Sequence, residues 1–258
     1  MNTTDNQSSN AKPWWGNFAI DVNDWLEKRI GPLHIHIERR RREWLVTVEH
    51  EEEGVAPISD ALQNRFVFSE TRGPLHLRPA LADRLVITRL LSPVQIAAHE
   101  SVTLYVSTPL MVRTSVNDPP VLLDERFVVR PSETWFGPST CEGELCYASS
   151  TRARLEISEL DVQADRAVTS VRIDNQGADP LVLERIALPA PHLKLFMTPG
   201  GALWTQDISY TRQTADDLAE LVFEKIPLRH APDSELVCEA RVRAENRTLF
   251  RAFGAMFN

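Results

Sequence analysis

The chain has 258 residues, 43% hydrophobic and 25% charged, the balance of a soluble globular protein with one large or two ordinary domains. Its net charge of −8 excludes a general affinity for nucleic acid, which needs clustered cations against the phosphates. No apolar run approaches the roughly 18 residues of a membrane span, and three cysteines, an odd number, do not make a disulfide scaffold.

Residues 1–13, "MNTTDNQSSNAKP", lack the charged-then-apolar pattern of a secretory signal and read as a disordered tail on a cytoplasmic protein. Short alternating segments follow. In "LHIHI", Leu33, Ile35 and Ile37 alternate with His34 and His36. "EWLVTVEH", "RFVFSE", "RLVITRLL", "SVTLYVST", "LMVRTSV" and "RFVVR" continue the pattern, as do "GELCYAS", "ARLEI", "AVTSVRID", "PLVLERIAL", "HLKLFM" and "LWTQDISY". Their β-branched content and their punctuation by Pro, Gly, Asn and Asp predict strands. Turn signals recur about every 8 to 12 residues, as in β-sandwiches.

The fold class expected is therefore all-β, with two β-sandwich-like domains. The breaker Asn117–Asp118–Pro119–Pro120 divides an N-terminal β-domain, 14–118, from a C-terminal β-sandwich, 119–258. "IDNQGADPLVLERIALP" reads as the hairpin of an immunoglobulin-like second domain, with its turn at Asn175–Gly177 and Pro180. "GPLHI" at 31 and "GPLHL" at 73 echo each other too briefly to establish a duplicated domain. "QTADDLAELVFE" fits a helix capped at Thr214 or an alternating strand. At the C-terminus, Val242, Leu249, Phe250, Phe253, Met256 and Phe257 fall at helical spacing and predict a short amphipathic helix.

His34 and His36 leave one strand face together, a geometry that metal sites use. No second ligand pair of recognisable spacing accompanies them, so the plainer reading is a solvent-facing polar stripe. The basic run Arg39–Arg42 reads as a solvated turn or as a contact for an anionic headgroup. Cys141 and Cys146 are too widely spaced for a zinc knuckle, and a continuous strand would put them on opposite faces. A nucleophilic Cys146 would need a base brought in by the fold, and nothing marks His99, His192 or His230 for that role. Phosphate-loop, dinucleotide, nucleophile-elbow and zincin motifs are absent. In the stretch 133–157, strand parity makes Leu145, Tyr147, Leu155 and Ile157 a core face. Glu144, Cys146, Arg152 and Arg154 form the opposite face, beside the half-exposed aromatics Trp135 and Phe136.

Several stretches resemble a prokaryotic family, the domain of unknown function 432: "GPLHIHIERRRREW" at 31, "PALADR" at 79, "LYVSTPLMV" at 104, "TWFGPSTCEGELCYASSTRARLE" at 134, "DPLVLERIALPAPHLKLF" at 179, "LWTQ" at 203 and "LFRAFGAMF" at 249. Trp135, Gly137, Gly143, Glu144, Leu145, Cys146, Tyr147, Thr151 and Arg154 match its pattern, whereas Cys141 does not. The resemblance carries no enzymatic activity. It implies a soluble accessory partner of small-conductance-type mechanosensitive channels, whose genes often neighbour those of the family.

The functional expectation is thus a non-enzymatic interaction module without a cofactor, in the cytoplasm or peripheral at the inner membrane. Leu249, Phe250, Phe253 and Phe257 would offer a docking helix, or else close the core. One alternative is a sensor of anionic small molecules lined by Trp135, Phe136, Tyr147, Arg152 and Arg154. The other is an enzyme using a His34/His36 metal or the Cys146 thiol.

Overall fold

The computed structural model describes residues 14–50, 62–137, 139, 141–160, 163–213, 218–224, 229–243 and 247–253. The expected N-terminal tail lies outside them. In chain order the strands begin with β1 (Gly16–Phe18), β2 (Asp24–Ile30), β3 (Leu33–Arg39), β4 (Glu43–His50), β5 (Leu62–Val67), β6 (Leu75–Ala80) and β7 (Val86–Ile96). Next come β8 (Ser101–Pro109), β9 (Met111–Val116), β10 (Val121–Phe127), β11 (Ser132–Phe136), β12 (Glu144–Thr151) and β13 (Arg166–Asn175). The last are β14 (Leu181–Leu188), β15 (Leu195–Met197), β16 (Leu203–Thr205), β17 (Ile208–Arg212), β18 (Leu218–Phe223), β19 (Glu235–Cys238) and β20 (Arg247–Arg251). The helical residues described are two single 3-10 turns, Ile157–Glu159 and Ala190–His192, and no described helix is long and apolar enough to cross a membrane.

Four sheets result. β2 to β5 make an antiparallel meander. β1, β6, β9 and β10 make a second sheet, and β11, β12, β7 and β14 a third. The largest runs β19-β15-β16-β13-β17-β18-β20, with β8 on the other edge of β13. Most pairs are antiparallel, but β12 runs parallel to β7, and β13 parallel to β16 and β17. One contiguous apolar cluster draws on all four sheets, including Ile35, Trp44, Leu77, Val112, Val86, Leu183, Ile173 and Tyr210. Alternation predicts this burial well in β3, where Leu33, Ile35 and Ile37 are buried and both histidines are not. β6 repeats it with Leu75 and Leu77 around His76, so the two Gly-Pro-Leu-His echoes each open a strand of the same facing.

Three expectations change. The boundary at 118/119 falls inside the β9–β10 hairpin, where Val116 pairs with Val121. Strands from both sides of it share sheets: β7 pairs with β12 and β14, and β8 with β13. The expected Asn175–Gly177 hairpin is a crossing between sheets, because β13 and β14 lie in different ones. Asn175 fixes that corner by donating from Nδ2 to the carbonyls of Ile96, Ala97 and Asp179 at 3.2, 3.0 and 3.0 Å.

The expected C-terminal helix is replaced over 247–251 by β20, paired antiparallel with β18 from Leu218↔Arg251 to Val222↔Arg247. The exposed edge of β18 offers a row of backbone donors and acceptors, and pairing satisfies the segment without a helix. Phe253 then enters the core edge-on to Tyr210, ring centroids 5.8 Å apart. The Ala187 N–H donates to the Ala252 carbonyl at 3.0 Å, and the Tyr210 hydroxyl donates to the Ala187 carbonyl at 2.6 Å. This end of the chain therefore ties the third sheet to the largest one. Val242 lies in an irregular segment, its N–H donating to the Pro191 carbonyl at 2.9 Å, while Met256 and Phe257 lie outside the described residues. The alternating reading of "LAELVF" describes β18, with Ala219 and Leu221 buried, and Thr214 lies outside the described residues.

Candidate functional site

The stretch 133–157 divides between three environments. β11 and β12 pair antiparallel with Trp135 opposite Leu145, and these two side chains are 46% and 44% exposed. Trp135 Nε1 donates to the Ser139 carbonyl at 3.0 Å, which fixes the indole over its own hairpin. Phe136 and Cys146 are instead buried with Leu85, Ile87 and Ala187 in a small separate apolar cluster. Tyr147 faces the main core edge-on to Phe127 at 4.8 Å and donates its hydroxyl to Asp83 Oδ1 at 2.9 Å, with the Arg84 guanidinium 5.3 Å from its ring.

The expected faces are thus revised. β12 has apolar cover on both sides at residues 146 and 147, so Cys146 is buried and Leu145, near the strand's open end, is exposed. The strand stops at Thr151, and Ala153 takes a positive φ of 39°. Parity cannot run past that break, so Leu155 and Ile157 are exposed. Glu144 and Arg152 are exposed. Arg154 leaves the sheet to bridge Tyr105, with backbone hydrogen bonds of 2.8 and 3.0 Å. The residues expected to line one anion cleft therefore sit against different elements.

All three cysteines lack a disulfide. Burial, reinforced by the Glu144 charge, pushes the Cys146 thiol up to about 12, which leaves almost no thiolate at neutral pH. His34 Nε2 lies 2.5 Å from Glu27 Oε1, and its Nδ1 is 3.9 Å from Glu49 Oε2. His36 stacks on Trp25 with ring centroids 5.4 Å apart. Among the described residues no group of three His, Cys, Asp or Glu side chains converges as a metal site. The basic run is largely engaged internally. Arg39 donates to the Ile20 and Thr71 carbonyls, both at 2.7 Å, and Arg40 pairs with Glu38 and Glu43.

A second constellation lies on the face of the largest sheet that is turned away from the main core. Tyr105 on β8 and Trp204 on β16 meet edge-on at 6.2 Å, packed with Val168, Phe196 and Ala231. The Tyr105 hydroxyl is 3.0 Å from Nε2 of the exposed His230. Asp207, next to Ile208 at the start of β17, is only 6% exposed. Its Oδ2 accepts the Arg229 N–H at a long 3.4 Å, and its Oδ1 has no partner among the described residues. Burial raises the Asp207 carboxyl above the usual carboxylate range, against a smaller opposing effect of the Arg229 N–H and the His230 and Arg229 charges. Burial also raises the Tyr105 phenol, helped by the charges of Asp207 and Glu156. Sequence reading missed this cluster because its members come from three distant segments, none carrying a local motif.

A family model described as "Protein of unknown function (DUF432)" matches residues 14–257. The chain belongs to this family. Neither a curated protein nor a solved structure matches it. The DUF432 stretch at 134 can now be read physically. A Cβ at Gly137 would sit 2.0 Å from the Glu142 carbonyl oxygen, and one at Gly143 would sit 2.6 Å from that of Phe136 and 2.8 Å from Trp135 Nε1. Both glycines are required by the close approach of the two hairpin arms beneath the indole. Cys146 fills a tight apolar site, Tyr147 reaches Asp83, and Arg154 joins the end of this stretch to β8.

Proposed function

We propose that the protein acts through protein contacts, with no catalysis of its own, and that the outer edge of the β11–β12 hairpin is its contact surface. The observation that carries this reading is the exposed register pair Trp135–Leu145 on a strand with no second neighbour among the described residues. Large apolar side chains beside an open strand edge suit docking, where tryptophan anchors binding and edge backbone groups pair with a partner strand. The thiol-enzyme reading has less support, since Cys146 is buried and protonated. So has a metal at His34 and His36, which Glu27 and Trp25 engage.

The partner this reading takes up is the cytoplasmic part of a small-conductance-type mechanosensitive channel. That identity rests on the family resemblance alone. Affinity capture from the native membrane fraction tests it. The wild-type protein should recover the channel, and the double variant Trp135→Ala/Leu145→Lys should lose it while melting at the same temperature. Undiminished recovery by the variant rejects the surface, and recovery of other proteins without the channel rejects the partner.

A further inference from the structure

We propose that Asp207, with the aromatic pair Tyr105 and Trp204 and with His230 at the exposed rim, is a binding site for an organic cation, an alkylammonium or guanidinium group. This site lies on the largest sheet and is independent of the β11 edge.

The first observation is the missing donor. A carboxylate oxygen shielded from water and without a hydrogen bond is costly, so native proteins supply a partner or use the site. Asp207 Oδ1 has none among the described residues. The nearby basic side chains make other contacts: the Arg229 guanidinium lies 3.9 Å from Glu224, and His230 Nε2 lies 3.0 Å from the Tyr105 hydroxyl. The donor that completes the site therefore comes from outside.

The surroundings select its class. Glu224 acts electrostatically on Asp207, and Glu156 on Tyr105. Three carboxylates set against the opposing charges of Arg229 and His230 leave the cluster net negative, which favours a cation over an anion. A metal ion needs several oxygen or nitrogen ligands, and no set of three acid, histidine or cysteine side chains converges among the described residues. An organic cation needs less. It satisfies one carboxylate by a charge-assisted hydrogen bond and rests its apolar body and its charge on aromatic rings. Tyr105 supplies one such ring, with the Trp204 ring 6.2 Å and the His230 ring 5.4 Å from it. The exposed His230, 3.0 Å from the Tyr105 hydroxyl, stands at the rim of this cluster.

Benzylammonium chloride is the probe, with benzyl alcohol as its neutral analogue, and titration calorimetry on the full chain is the readout. Wild-type protein should bind benzylammonium saturably and benzyl alcohol at least about tenfold more weakly, the loss expected for removing one charge-assisted hydrogen bond. Asp207→Asn, a near-isosteric change, should weaken benzylammonium binding by a similar factor, whereas the remote Asp83→Asn should leave it unchanged. In the wild type, affinity should fall as the pH is lowered and Asp207 is protonated, a reading that needs no variant. The proposal is overturned by no saturable binding to the wild type, by equal binding of benzyl alcohol, by Asp207→Asn binding as well as wild type, or by an affinity independent of acidification.

Discussion

Asn175 and Arg212 pair across parallel strands and meet inside the protein, Arg212 Nη1 donating to Asn175 Oδ1 at 2.9 Å. The same guanidinium donates to the Asp179 carbonyl at 3.2 Å, and the three donations from Asn175 Nδ2 hold the corner between sheets. Asn175→Ala would take one acceptor from the buried Arg212 guanidinium and one donor from each of the Ile96, Ala97 and Asp179 carbonyls. The expected cost is about 3 kcal/mol or more. It should register in urea as a lower midpoint at unchanged slope. A loss below about 0.5 kcal/mol would mean that water replaces the amide without cost.

The carboxyl of Asp207 is raised in the folded state and ordinary in the unfolded chain, so the folded state binds the proton more tightly. Wild-type stability should then gain an increment as pH falls through the folded value toward the unfolded value of about 4, and lose it again as pH rises. Asp207→Asn lacks this increment. Its stability relative to wild type should be most favourable at neutral pH and should decline on acidification. Parallel pH–stability curves for the two proteins would contradict the assignment.

Thiol labelling should separate the cysteines in the native protein. The exposed Cys141 should react first and the buried Cys146 only on unfolding, because burial keeps its thiol protonated. Peptide mapping of the labelled protein decides this, and early modification of Cys146 would refute its burial. Cys146→Ser should cost about 1–3 kcal/mol by placing a hydroxyl against Leu85, Ile87 and Phe136.

Phe253→Ala should destabilise the protein by about 3–5 kcal/mol, as for other buried phenylalanines. Removing residues 249–258 should abolish the cooperative melt, since it takes away part of β20 and the Ala252 link to Ala187. A truncated protein that melts like wild type would restore the reading of this end as a separable docking element.

Strand content was readable because alternation survives where one face meets the core and the other meets water, as at Leu33–Ile37. It misleads where a strand is covered on both sides. Cys146 and Tyr147 are adjacent and both buried, and no period-two pattern contains that. The C-terminal apolar spacing fits a helix as well as a strand followed by a buried Phe253, and what decides it is the open edge of β18, a tertiary fact. The candidate stretch was visible as a dense local motif, yet Phe136 and Trp135 part to opposite faces of β11. Tyr105, Asp207 and His230 were invisible as a group because only the pairing of β8, β13 and β17 assembles them.

The parallel and crossing strands also govern how the chain is made. β7 lacks its sheet until β12 and β14 emerge, and β8 waits for β13, so Tyr105 meets Ser170 only after β13 is made and Ile96 meets Leu181 only after β14 is made. β20 closes on β18 only once residue 251 has emerged. A nascent chain of this topology carries open, apolar strand edges on the ribosome until those later strands emerge. Its yield in a cell should therefore depend more on chaperone supply than its final stability indicates.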